Sequence, residues 1–142
     1  MTRSRLLAAW AAVALASAMS SVAGAQPGAT PVRVSVQTSL GDIVLELDSA
    51  RAPHTTANFL KYVDAGHYDG GTFHRTVTMD NQPESTVKIE VIQAGVHPDK
   101  AKAGFPAIAI ERTTATGLKH VDGAVSMARD APDSATSGWF IC

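Results

Sequence analysis

The chain has 142 residues, with 12 Lys+Arg against 13 Asp+Glu and a formal net charge of −1. That balance argues against nucleic acid as the main partner, because phosphate binding requires a basic face. The single cysteine, Cys142, excludes an internal disulfide, and the fold must stand on its hydrophobic core.

The first residues read as an export signal and not as part of the fold. Arg3 and Arg5 make a short positive start, Leu6 to Ala18 is apolar apart from Ser17, and Ala23-Gly24-Ala25 has the small-x-small pattern of a cleavage site. A membrane span needs about 20 apolar residues, so this run is too short to be one. Cleavage after Ala25 is expected, with residues 1–25 the signal peptide. The remainder suits one domain with a modest core. The signal region has no cysteine for a lipid anchor. The expected product is therefore soluble, free of the membrane and, in a Gram-negative source, periplasmic.

Residues 26–31 hold two prolines and a glycine and read as a flexible leader. Val32-Arg33-Val34-Ser35-Val36-Gln37-Thr38 alternates strictly, which predicts a half-buried strand. Ser39 to Asp42 is the turn, and Ile43 to Leu47 the returning strand of a hairpin. Pro53 opens a helix in which Thr56, Phe59, Leu60 and Val63 recur at helical spacing, and Gly66 is placed to end it.

Asp69-Gly70-Gly71 then offers a tight turn, because glycine accepts positive φ at little cost. It delivers the chain into Thr72-Phe73-His74-Arg75-Thr76-Val77, a strand whose period of two puts Phe73, Arg75 and Val77 on one face. Arg75 breaks that apolar row. A charge is almost never buried unpaired, so Arg75 belongs at an exposed edge or aimed into a site.

Thr78 to Ser85 reads as a loop. Val87, Ile89 and Val91 alternate with Lys88, Glu90 and Ile92, predicting a strand that ends at Gln93-Ala94-Gly95. His97–Pro106 and Thr113–Asp122 are irregular, with a short strand at Ala107–Ile110 between them. Gly123–Ala128 and Trp139–Cys142 are strands flanking the turn-rich segment from Asp130 to Ser137. Many short strands and little helix predict a mainly β fold, a barrel or a sandwich. Alternation places Trp139 and Phe140 on opposite faces.

Four segments in order carry a resemblance: Phe73-His74-Arg75, Ile92-Gln93-Ala94-Gly95, Gly123-Ala124-Val125-Ser126-Met127-Ala128-Arg129, and Ser134-Ala135-Thr136-Ser137-Gly138-Trp139-Phe140-Ile141. From about Val34 onward the chain resembles the cyclophilin-type peptidyl-prolyl cis-trans isomerases. The resemblance implies a closed antiparallel β-barrel capped by helices, acting without a cofactor on Xaa-Pro bonds of unfolded or partly folded polypeptides, here exported ones. It implies a monomer.

Carried over by position, Arg75 is the catalytic donor and Gln93 holds substrate backbone. Phe140 lines the proline pocket with Val91, Ala128 and Arg129 border the groove, and Phe73 and His74 support Arg75. The chain departs from the pattern at Glu90, where an aromatic residue is usual, at Val91 for a methionine, and at Gly138 for a second glutamine. The family also continues through further strands and a C-terminal helix, so residues 32–142 correspond to a domain incomplete at its C-terminus. That departure keeps open an alternative, a non-catalytic proline-peptide-binding or chaperone-like module. His54, His67, His74, His97 and His120 lack metal-site spacing, and Asp64 to Gly70 lacks the acidic pattern of a calcium loop.

Overall fold

The computed structural model describes residues 31–142; the signal peptide and nearly all of the leader lie outside the described residues. The alternating segment forms β1 (Val32–Thr38), antiparallel to β2 (Gly41–Leu47), with Val32 opposite Leu47 and Thr38 opposite Gly41. The second strand starts two residues earlier than expected because the turn is only Ser39-Leu40. Thr38 Oγ1 closes it, donating to the Gly41 carbonyl at 2.7 Å and accepting from Leu40 N–H at 3.1 Å, while Gly41 takes φ +128°. Leu45 and Leu47 point inward and are buried.

Helix α1 (Pro53–Asp64) begins on a proline, whose missing N–H is an orphan position in any case. Ala52 cannot cap the next free donors. Glu111 does so from a distant loop, accepting from His54 N–H at 3.0 Å and Thr55 N–H at 2.7 Å. The buried helix residues are Thr56, Asn58, Phe59 and Tyr62, so the expected face is rotated: Leu60 and Val63 are half-buried at its margin. Asn58 is satisfied by the Thr136 carbonyl at 2.6 Å, and the Tyr62 hydroxyl accepts from Phe105 N–H at 2.8 Å. Buried polar groups need such partners, and these come from residues far along the chain.

The remaining strands, β3 (Thr72–Val77), β4 (Val91–Gly95), β5 (Val125–Met127) and β6 (Trp139–Ile141), form one antiparallel sheet in the order β3-β4-β6-β5. The strand expected from Val87 begins only at Val91. Val77 pairs with Val91 at the end of β3, so Val87 to Glu90 have no strand beside them; Val87 and Ile89 are 75% and 46% exposed. Gln82 replaces the missing ladder, taking Ile89 N–H at 3.2 Å and donating to the Ile89 carbonyl at 2.7 Å. The strand expected at Ala107–Ile110 is a single bridge between Ile108 and Ala135. Two segments read as irregular contain a 3₁₀ helix, Pro98–Ala103, and the one-turn helix α2, Thr113–Thr116.

The hairpin, α1 and the four-stranded sheet share one core of Leu45, Leu47, Phe59, Ala94, Met127, Ala135 and Trp139. Phe59 and Trp139 meet edge-on at 5.8 Å, a favourable aromatic geometry. The fold is mainly β with antiparallel sheets, but the expected closed barrel is not formed by the described residues. Closure requires every strand edge to be paired, and no ladder joins the hairpin to the larger sheet. Cavities of about 400 Å³ between β2 and β5, and of about 760 Å³ between β1 and β3, lie along the two seams.

Candidate functional site

The site starts at the glycine turn. Gly70 has φ +74°, while Gly71 is required for a different reason: a Cβ there would collide with the Gly95 carbonyl oxygen and lie 2.8 Å from that of Tyr68. The turn is held by Gly71 N–H on the Tyr68 carbonyl at 2.8 Å, and Tyr68 is tied to the segment leading into β6 by its hydroxyl on the Ser137 carbonyl at 2.9 Å. Burial, with Tyr62 adding to it, pushes the Tyr68 phenol well above its ordinary pKa, so it remains a neutral donor.

Within β3 the pairing shifts. Phe73 faces Ala94 and Arg75 faces Gln93, leaving His74 as an extra residue in a bulge. Directly opposed residues share a face, and Ala94 and Gln93 are neighbours on opposite faces of β4. The expectation that Phe73 and Arg75 share a face is therefore corrected: the bulge reverses the phase between them. Phe73 turns to the core side and meets Trp139 edge-on at 5.5 Å. Arg75 turns to the opposite face. His74 is exposed, with its ring 3.4 Å from where a Cβ would stand on Gly95.

Register then aligns four residues across the sheet, Arg75 on β3, Gln93 on β4, Phe140 on β6 and Ser126 on β5. The row behind it, Phe73, Ala94, Trp139 and Met127, belongs to the core side. Arg75 Nη1 donates to Gln93 Oε1 at 3.0 Å, and Arg75 makes no salt bridge among the described residues. Its fixed charge is thus oriented but not neutralised, with further N–H donors to spare. Gln93, half-buried, keeps its amide N–H₂ group as a donor.

Val91 lies two residues along β4 on the same face as Gln93 and is buried against its partner Val77. Ala128 follows β5 and extends the ladder, its N–H donating to the Gly138 carbonyl at 2.8 Å. Arg129, one residue further on, is exposed. Arg75, Gln93, Phe140 and Val91 are thus brought onto one face, Ala128 and Arg129 stand at its β5 end, and Phe73 faces away.

Two residues of this surface were not singled out by pattern. Ser126 is a polar residue between the apolar Val125 and Met127, a signal that alternation carries. His120 stacks on Phe140 with ring centroids 5.7 Å apart and planes at 23°; nothing in its local sequence announces this. Among the described residues no group of three metal-capable side chains converges. Chemically, the row offers a permanent cation with free donors, an amide that both accepts and donates, and an aromatic face.

A family model described as cyclophilin type peptidyl-prolyl cis-trans isomerase/CLD matches residues 33–142. The chain is 39% identical over 109 residues to peptidyl-prolyl cis-trans isomerase cyp18 of Streptomyces antibioticus, covering 76% of this chain and 60% of the relative. It is 37% identical over 133 residues to peptidyl-prolyl cis-trans isomerase A of Dickeya dadantii, covering 92% and 64%. Peptidyl-prolyl cis-trans isomerase B of Escherichia coli is 34% identical over 109 residues, covering 76% and 60%. The chain thus spans about three-fifths of the length of these curated relatives.

Proposed function

The chain belongs to the cyclophilin-type peptidyl-prolyl cis-trans isomerase family, and we propose that it accelerates rotation about Xaa-Pro bonds in exported polypeptides. The observation that carries this reading is the row of Arg75, Gln93 and Phe140 on one sheet face, with Arg75 oriented by Gln93 at 3.0 Å.

Amide resonance sets a barrier of about 18–20 kcal/mol to peptide rotation. As the bond twists, resonance is lost and the proline nitrogen regains a lone pair that both planar ground states lack. A guanidinium donating to that nitrogen binds the twisted state better than either ground state, which is the condition for catalysis. Arg75 has the charge and the free donors for that role. Gln93 presents Arg75 with an acceptor on one side and has amide donors for substrate backbone. Phe140 provides an apolar face for the pyrrolidine ring, with Val91 beside it. Ala128 and Arg129 border the groove, and Phe73 and His74 act through the bulge that aims Arg75. No step calls for a cofactor.

The test is cis-trans exchange of a peptide containing an Ala-Pro bond. Arg75→Ala is expected to lower kcat/KM by about a hundredfold or more, the range for loss of one preorganised donor. Equal exchange with wild type, with the variant and without protein would sink the isomerase reading, and peptide binding without acceleration would favour a binding module.

Export is part of the same proposal. Its support is the charged, apolar and small-residue order of residues 3–25, in a segment that the Dickeya relative also reaches, since the match covers 92% of this chain. Expression with export intact should give a mature N-terminus at Gln26, read by intact mass. A mass that retains residues 1–25 contradicts it.

A further inference from the structure

Phe140 is half-buried, and its in-register neighbours across the sheet are Gln93 and the short Ser126. Neither is bulky enough on the β5 side to fix an aromatic rotamer. The missing wall comes from outside the sheet. His120, in the segment between α2 and β5, lays its imidazole over the Phe140 ring at 5.7 Å and 23°.

That segment is tied down at both ends. Upstream, Gly117 takes φ +72° and donates to the Thr113 carbonyl at 2.9 Å, and Leu118 N–H reaches Thr116 Oγ1 at 3.1 Å. Downstream, Ala124 N–H reaches the Val121 carbonyl at 2.9 Å and Gly123 N–H the Cys142 carbonyl just beyond β6, also at 2.9 Å. His120 is therefore delivered to Phe140 by an anchored backbone. Its side chain has no hydrogen bond to the described residues, so ring stacking is its only directional contact there.

We infer that His120 is a positioning residue for the proline groove: by stacking on Phe140 it holds that ring in the orientation that a pyrrolidine packs against. This rests on the isomerase reading. The contact is made through the ring face, so an aromatic residue should replace His120 and a polar residue without a ring-sized face should not. It aids binding of the ring in ground and transition states alike, so its loss raises KM and leaves kcat.

His120→Ala is expected to raise KM for the Ala-Pro peptide by about three- to tenfold, the range of an aromatic pair, with kcat within about twofold of wild type. His120→Phe should restore KM, and His120→Asn should behave like alanine. Circular dichroism melting of each variant separates a folding defect from a positioning one, with His120→Phe as the folded comparison. Direct titration of the same peptide is run in parallel. An unchanged KM and Kd in His120→Ala, or rescue by Asn as good as by Phe, overturns the inference. If wild type binds the peptide without accelerating exchange, the isomerase reading fails alone, and the ratio of Kd values then decides the role of His120. If wild type does not bind at all, both readings fall.

Discussion

In β3 one extra residue decides which side of the sheet carries chemistry. Without the bulge at His74, Arg75 would follow Phe73 toward Trp139 and the core, where an unpaired guanidinium is costly. With it, Arg75 reaches the outer row and meets Gln93. The pairing also argues against lysine at this position. A lysine ammonium is a point donor, whereas the guanidinium can hold Gln93 through one N–H and present others to substrate. Arg75→Lys is therefore expected to recover only a minor part of the activity lost in Arg75→Ala, in the same exchange assay; full recovery would mean that charge alone suffices. The identity of this arginine was legible from its place in an apolar strand. Its face was not, because the bulge is set by hydrogen bonding to β4, and no residue type at His74 marks it.

Among the elements, α1 depends on a residue outside itself. Its first free N–H groups are bound by Glu111, which lies 57 and 56 residues from His54 and Thr55. Burial raises the Glu111 carboxyl, but hydrogen bonds from Thr55 and His54 and the charge of His54 outweigh it and hold the group below its ordinary pKa. A depressed folded pKa means that the carboxylate contributes stability above the unfolded value and loses it as pH falls through the folded one. Glu111→Gln should thus lower Tm at pH 7 by roughly 4–8 °C, corresponding to about 1 kcal/mol for a lost cap. The difference from wild type should close at a pH below the lowered carboxyl range. Thermal melts taken from pH 7 downward check this, and a gap that stays constant through the whole acid range would contradict it. Pro53 and Gly66 marked the ends of this helix in the sequence, since both act through their own backbone. The cap did not, because it is a tertiary contact. The same distinction explains β4: alternation continued upstream to Val87, but a strand needs a neighbour, and β3 ends at Val77.

At the scale of the molecule, the hairpin and the larger sheet share a core without sharing a ladder. Both seams open into cavities lined by apolar residues interspersed with polar ones, and Trp139 lines both. Its indole Nε1 is buried with no hydrogen-bond partner among the described residues. Native protein should therefore bind a hydrophobic dye such as ANS with enhanced fluorescence while retaining its near-ultraviolet circular dichroism. Dye fluorescence no higher than that of a well-packed globular control would show that the seams are closed in solution. The unpaired edges of β1, β2, β3 and β5 among the described residues are also where strand addition from another chain would occur.

Resemblance alone singled out Gln93 and Phe140; the sequence by itself determined the hairpin, the start and end of α1, the position of β3 and the misfit charge of Arg75. Each is written in patterns a few residues long: strict alternation, helical spacing, a proline, a glycine turn. The tertiary structure alone decided that Arg75 faces away from Phe73, that Glu111 caps α1, that Asn58 and Tyr62 are satisfied burials, and that His120 stands over Phe140. Those outcomes depend on register and on partners from 18 to 78 residues apart in the hydrogen-bonded cases. A local pattern states what a segment can pair with; only the folded chain supplies the partner.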